Sequence, residues 1–319
     1  QLHGSVKVMA GRQDPSILDD GFDVVVLSPG VPKSIALVRE AISRSVPVIS
    51  EIELAWRNMK GYTIGITGTD GKSTTTSLTE HIFSALGFHT LVGGNIGIPL
   101  ISLAEQTTDK SVTVIELSSY QLETIDRFRP DVAAILNVTP DHLDRYDGMD
   151  DYFAAKKRIF MNQTAEDWFV YNMDSDILRS AISEYPEHTL GFSIDDHEAD
   201  AFIFNGRIYF AIKGVDMPLV RLEDLSILGI HNAQNVMASI LMVLALHEKA
   251  GLVSDTDRIS EACNTFRGLE HRMEFAGEFM GRTFVNDSKA TTIGAVEMAV
   301  RSIRDRGVLI IGGRTKGDD

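Results

Sequence analysis

The densest chemistry in the chain lies in Ile66 to Thr76, ITGTDGKSTTT. Gly68 and Gly71 let the backbone pass close to an anion with no Cβ in the way, and the first N–H groups of a following helix have no partner within that helix. Lys72 is placed to reach the outer phosphates of a nucleotide, and Ser73 to hold Mg²⁺ through its hydroxyl. The strict phosphate-loop pattern asks for glycine five residues before Gly71; Ile66 stands there, with Gly65 one place off. Read without context, the segment is a glycine turn with a surface lysine. In context it is an ATP site, because apolar Tyr62, Ile64 and Ile66 precede it as a strand and Leu78, Ile82, Phe83 and Leu86 follow at helical spacing.

Other polar groups fall at the ends of expected strands, the edge where open α/β sheets bind ligands. Glu116 ends the β-branched run Val112 to Ile115 and is expected to hold Mg²⁺, with Ser118, Ser119 and Gln121 as weaker candidates. Asn95 is the polar side chain of GGNIGIP (Gly93 to Pro99). After Val132 to Leu136 comes NVTPDHLDRY, Asn137 to Tyr146, where Asp141, His142, Asp144 and Arg145 offer both metal ligands and a cation for an anionic acceptor. Lys156 sits among Ala154, Ala155 and Ile159 on a helix over Tyr152 to Phe160; there it either snorkels to solvent or holds a depressed pKa and a neutral amine, while Lys157 and Arg158 are expected to be solvated. His231, Asn232 and Asn235 open a long apolar helix and serve as caps or read an adenine edge. Ser28 to Val31 form a turn after the strand Asp23 to Leu27, suited to a phosphate or sugar or to the turn alone.

The elements that must position these groups alternate strand and helix, so the fold class is α/β with a mostly parallel sheet. A helix from Ser34 to Arg44, a strand from Val46 to Ile49 and a helix from Glu51 to Asn58 read as the back half of a doubly wound domain. Trp168 to Leu228 reads as scaffold, and a helix over Asp255 to Thr265 precedes FRGLEHRME. Strands at Phe275 to Phe279 and Thr283 to Val285, a helix from Ile293 to about Arg304 and a strand at Val308 to Ile311 begin a third α/β unit. At 319 residues, about two domains are expected from length alone. Opening on Gln1 and stopping just past a glycine-rich turn, the chain is expected to be a piece of something longer.

Composition narrows the partners. Apolar and charged fractions of 44% and 24% are those of an ordinary globular protein, and a formal charge of −15 argues against nucleic acid. No apolar run approaches ~18 residues, so no membrane span is expected. The single cysteine, Cys263, reads as a small core filler in a reducing, cytoplasmic setting.

The ordered set TGTDGKS, GGNIG, ELSSYQLE, NVTPDHLDRY, AAKKRI, HNAQN, FRGLEHRME, NDSKAT and GGRTKG resembles the Mur ligases of peptidoglycan synthesis over nearly the whole chain. With SPGVP and PVISEIELA it is similar to the branch that adds D-glutamate to UDP-N-acetylmuramoyl-L-alanine. The resemblance implies a three-domain architecture: a partial Rossmann-like, UDP-substrate-binding domain (1–58), a central P-loop-type ATPase domain (59–277) and the start of a Rossmann-like, amino-acid-binding domain (278–319). It implies an acyl-phosphate route, two Mg²⁺ sites and a monomer.

By motif, the resemblance implies that Gly68 to Thr74 (Gly68, Thr69, Asp70, Gly71, Lys72, Ser73, Thr74) hold ATP phosphates, with Asn232, Asn235, Arg272, Asp287 and Lys289 also on the nucleotide. Ser73 and Glu116 would take the first Mg²⁺, and His142 with a CO₂-derived carbamate on Lys156 the second; Lys72, His142 and Lys156 would be catalytic. Ser28, Pro29, Gly30, Val31, Asn95, Ser118, Gln121 and Arg145 would meet the uridine-nucleotide substrate, and Thr291 and Lys316 D-glutamate. Asp70 and Thr292 depart from the family's usual asparagines. Two rivals are a folylpolyglutamate-type ligase, against which the SPGVP domain argues, and a nucleotide-binding module without ligase chemistry, which needs neither His142, Lys156 nor Asp287.

Overall fold

The computed structural model describes residues 9–11, 13–141, 145–212, 215–227, 229–290, 296–297, 299–300, 303 and 306–312. The first sheet is small: β1 (Val25–Leu27) pairs in parallel with β2 (Val48–Ser50), with α1 (Ala36–Ser43) as the crossover. Both strands are shorter than their apolar runs. α2 (Glu51–Trp56) starts immediately after β2, because the Ser50 hydroxyl accepts from the Glu53 N–H and caps it.

The main sheet holds β3 (Tyr62–Thr67), β4 (Thr90–Gly94), β5 (Val112–Glu116), β6 (Val132–Ile135), β7 (Trp168–Asn172), β8 (His188–Ser193), β9 (Ala201–Phe204), β10 (Arg207–Ile212) and β11 (Val215–Arg221). Their order is β11-β10-β9-β8-β7-β6-β3-β5-β4, parallel from β4 to β9 and antiparallel for the last two. Every residue of β6 is buried, as a parallel strand covered on both faces requires. Its side chains alternate between two cores. Val132 and Ala134 join the core built on α3 (Lys72–Ala85) and α7 (Ile230–Ala250), which includes Leu78, Phe83, Val236 and Ile240. Ala133 and Ile135 join the opposite core, with Leu122, Tyr152, Ile159 and Phe169.

The remaining helices are α4 (Ser119–Leu122), α5 (Met149–Lys157), α6 (Asp176–Ser180) and α8 (Thr256–Thr265). Cys263 is buried on α8, and burial pushes its thiol up to about 12, in keeping with a core filler. Among the described residues no helix is long and apolar enough to cross a membrane.

Three expectations change. Arg158 is not solvated: it donates to the carbonyls of Leu122, the last residue of α4, and Ile125, three residues beyond it, over 2.8 and 2.6 Å. Lys157 pairs with Glu184 at 2.6 Å, its side chain only 24% exposed. Among the described residues Val308 to Ile311 belong to no strand, and Val308 and Ile310 stand 90% and 92% exposed. The expected strands near 275–285 form a hairpin of β12 (Glu274–Phe279) and β13 (Arg282–Asn286), so the division expected at 277/278 falls inside β12. Most of the helix expected from Ile293 lies outside the described residues.

Candidate active site

β3 is flanked by β5 and β6; the chain leaves β3 toward β4 on one side and leaves β5 toward β6 on the other, a switch point that opens a crevice at the carboxyl ends of these strands. The phosphate loop fills that crevice. Gly71, at φ 80°, is the N-cap of α3 with no side-chain cap, so the first N–H groups of the helix are left for a ligand. A Cβ there would come within 2.5 Å of Asn235 Oδ1, so both backbone angle and space require glycine. Asp70 is exposed beside the loop, which softens the effect of an acid at that position.

The loop is knitted to the segment after β6. Asn137 Oδ1 accepts from the N–H groups of Thr69 and Asp70 at 3.0 and 2.8 Å, and Asn137 Nδ2 donates to Asp70 O at 3.1 Å. Thr69 Oγ1 accepts from the Thr139 N–H at 3.0 Å and lies 3.3 Å from the Tyr152 hydroxyl, whose pKa burial pushes up to about 12. Sequence reasoning gives no role to Asn137, the first residue of NVTPDHLDRY, or to Tyr152, the first residue of its expected helix; spacing alone does not show which loop a carboxamide reaches.

Lys72 bends back over the loop and donates to Gly68 O at 3.0 Å and Thr69 O at 2.7 Å. Burial lowers its pKa, while Glu116, Asp70 and Asp141 oppose the shift. Lys156 does not snorkel. It is 1% exposed, donates to Gly68 O at 2.7 Å and lies 4.4 Å from the Tyr152 ring centroid. Burial, then the charge of Lys72, holds its pKa well below the ordinary lysine value against the opposing Asp141 and Asp70.

Glu116 is 2% exposed at the end of β5. Its Oε1 accepts from Asn95 Nδ2 at 2.7 Å, and the Asn95 N–H donates to Glu116 O at 2.8 Å, so Asn95 braces the carboxylate. Among the described residues, Glu116 Oε2 is buried with no hydrogen-bond partner. A buried carboxylate oxygen left this way suits a cation. Across the loop, Arg272 Nη2 donates to Ser73 Oγ at 3.4 Å, bringing FRGLEHRME to the phosphate helix. Among the described residues no three His, Cys, Asp or Glu side chains converge on one point. The Ser73 hydroxyl and the open Glu116 oxygen are hard oxygen donors of the kind Mg²⁺ takes alongside several waters.

Asn232 and Asn235 are buried at the start of α7, joined to each other at 3.1 Å, and Asn235 accepts from Thr75 Oγ1 at 3.1 Å. They brace the first turn of α3. Asp287 accepts from the Met273 N–H at 3.1 Å, and the Lys289 N–H donates to His271 O at 3.1 Å, so both are tied to the segment that carries Arg272. A second concavity gathers Ser28, Pro29, Val31, Tyr120, Glu123 and Arg145. There Arg145 stacks 3.8 Å over the Tyr120 ring, pairs with Glu123 at 3.1 Å and donates to Pro29 O at 3.4 Å, joining the Ser28 to Val31 turn to the main sheet. Ser118 and Gln121 form a capping box on α4, and Gln121 also lines this concavity. His142, Thr291, Thr292 and Lys316 lie outside the described residues.

The Mur ligase middle domain model matches residues 66–243, more than half of the chain. A UDP-N-acetylmuramoylalanine–D-glutamate ligase of Citrifermentans bemidjiense is 43% identical over 296 residues, covering 92% of this chain and 64% of its own length. The ligase of the same name from Alkaliphilus metalliredigens is 37% identical over 319 residues, covering 99% of this chain and 69% of its own. The first of these relatives are thus matched over about 64% of their length. Among solved structures, MurF from Acinetobacter baumannii superposes with a TM-score of 0.63 at 21% identity, over 81% of this chain and 57% of that one. MurF ligase from Thermotoga maritima in complex with ADP gives 0.61 at 17% identity, over 88% and 71%. These two likenesses bear on fold.

Proposed function

The chain belongs to the Mur ligase family, and on that premise we propose that it is the nucleotide-binding core of an enzyme that joins D-glutamate to UDP-N-acetylmuramoyl-L-alanine at the expense of ATP. One observation carries the catalytic part: Lys72, Lys156 and the unpartnered oxygen of Glu116 converge around a phosphate loop at the head of α3. The choice of D-glutamate rests on the name shared by relatives at 37–43% identity.

In this reading the acceptor carboxylate attacks the γ-phosphorus of ATP, the bond to the β-phosphate oxygen breaks and ADP leaves. The D-glutamate amine then attacks the resulting acyl phosphate, and inorganic phosphate leaves as the amide forms. The protein's part is placement and charge neutralisation. The free N–H groups of α3 and the Lys72 ammonium hold the phosphates, for which Lys72 must exchange its two loop carbonyls. Ser73 and Glu116 would hold one Mg²⁺, which supplies further positive charge to the phosphate oxygens. Asn95 and Arg272 keep those two ligands oriented. Lys156, with burial favouring its neutral amine, can add CO₂ and release a proton; the carbamate, together with His142, would hold a second Mg²⁺. Arg145, presented by Tyr120 and Glu123, faces the turn that would carry the uridine-nucleotide moiety.

The test is phosphate release from ATP by a chain completed to the length of its relatives, given UDP-N-acetylmuramoyl-L-alanine and Mg²⁺ with D-glutamate, L-alanine, L-lysine or no amino acid. Release that depends on D-glutamate alone is expected. Release with another amino acid keeps the family and discards the substrate; none with any of them discards the reaction.

A further inference from the structure

We propose that Asn137 is a positioning residue that holds the phosphate loop in register with the acceptor-side loop that follows β6. The proposal rests on the ligase reading above. Its basis is the three-way clasp of one carboxamide: two loop N–H groups on Oδ1 at 3.0 and 2.8 Å, and one loop carbonyl on Nδ2 at 3.1 Å. The Thr69 N–H also reaches Asn137 O at 3.1 Å, and Thr69 Oγ1 both accepts from the Thr139 N–H and donates to its carbonyl, at 3.0 and 3.2 Å. A peptide-like ladder therefore joins residues 69–70 to 137–139, although neither segment is a strand.

Two consequences follow. The N–H groups of Thr69 and Asp70 are already satisfied, so phosphate must be met by the N–H groups at the start of α3 and by Lys72; Asn137 shapes the loop without itself binding the nucleotide. The ladder also ties the phosphate loop to residues 137–139, the start of the segment that follows β6. Attack of a carboxylate on phosphorus needs an approach of about 3–3.5 Å, and a 1 Å misplacement can cost about 100-fold in rate. Asn137 therefore acts on the distance between the two substrates more than on the affinity for either.

The experiment compares Asn137→Ala, Thr69→Val and the double variant in the chain completed to the length of its relatives. Turnover is measured with all substrates, ATP affinity by calorimetry and folding by thermal melting. Each single variant is expected to lower kcat by about 10- to 100-fold while the Kd for ATP changes by less than about threefold. The double variant should lose little more than the worse single one, because both cut the same ladder. Thr69→Val carries the comparison if Asn137→Ala does not fold. Unchanged kcat, or a Kd for ATP that rises in step with the loss of kcat/KM, overturns the proposal, as does a loss matched by the fraction unfolded. If the unsubstituted chain itself shows no turnover, the ligase reading has failed; if it turns over and the variants match it, only the role of Asn137 has.

Discussion

Lys72 and Lys156 donate to the same atom, the carbonyl oxygen of Gly68, over 3.0 and 2.7 Å. Two ammonium groups on one carbonyl repel each other, and the more deeply buried Lys156 yields its charge more readily. Its folded pKa lies below the unfolded value, so between the two the unfolded chain binds more protons and stability rises with pH. Lys156→Met removes this penalty. The variant should melt higher than the parent chain at low pH, with the gap narrowing as pH rises through the depressed value toward the ordinary lysine value of 10.5. Turnover should fall by about 100-fold or more, and added bicarbonate should not restore it. Melting curves across pH decide the first part: a gap that widens with pH would show that Lys156 is charged in the fold.

Glu116 makes a separate prediction, because one oxygen is braced by Asn95 and the other has no partner among the described residues. Glu116→Gln keeps the shape and removes a buried charge. Without ligands, the variant should melt no lower than the parent. With ATP, the parent chain should bind at least about tenfold more tightly when Mg²⁺ is added, whereas the variant should gain less than about twofold. Equal Mg²⁺ dependence in the two proteins would remove Glu116 from the metal site.

Gly71→Ala strains the backbone and the packing at once. A φ of 80° disfavours any L side chain by about 1–2 kcal/mol, and the new Cβ meets Asn235 Oδ1, which is held by Thr75. A loss of about 2–4 kcal/mol in urea unfolding is expected, together with loss of ATP binding. Adding Asn235→Ala should recover the packing part and leave the backbone part. Full recovery would mean that the left-handed conformation is not required.

Glu53 is buried at 0% exposure on α2 and accepts from the N–H groups of Asp126, Arg127 and Phe128 as well as from Arg57. Burial alone would raise its pKa; the Asp126 N–H, Arg57 and the Phe128 and Arg127 N–H groups outweigh it, so the net shift is downward. A depressed carboxylate contributes stability above its unfolded pKa and loses it as pH falls through the folded one. Glu53→Gln should cost about 2–4 kcal/mol near neutral pH, with the deficit shrinking once pH drops below about 4.5. Urea titrations at pH 7 and pH 3 would expose an error: a deficit independent of pH assigns the loss to shape alone.

The parallel sheet, the phosphate loop and the strand-end position of Glu116 were legible because each has a local signature: a β-branched run, a glycine pair before a helical period, an acid closing a strand. What escaped depends on partners distant in sequence. The clasp of Asn137 on Thr69 and Asp70 joins positions 68 and 67 residues apart, and Arg158 finds carbonyls 36 and 33 residues back. Neither side chain differs by composition from a solvated one. Lys156 was half legible: its alanine neighbours pointed to an apolar face, but only the fold decides whether a four-carbon stem escapes to water.

Helix α7 touches Gly71 through Asn235 near one end and pairs with Asp131 and Asp167 through Lys249 at the other, at 3.3 and 2.8 Å. It thereby spans about 21 Å as an unbroken strut from the phosphate loop to the far rim of the sheet. Its apolar residues tolerate exchange for others of similar volume, but its length does not tolerate change. Inserting or deleting one residue between those contacts turns one end by about 100° against the other and pulls either Asn235 from the loop or Lys249 from its two acids. In this part of the fold the number of residues is under tighter constraint than their identity.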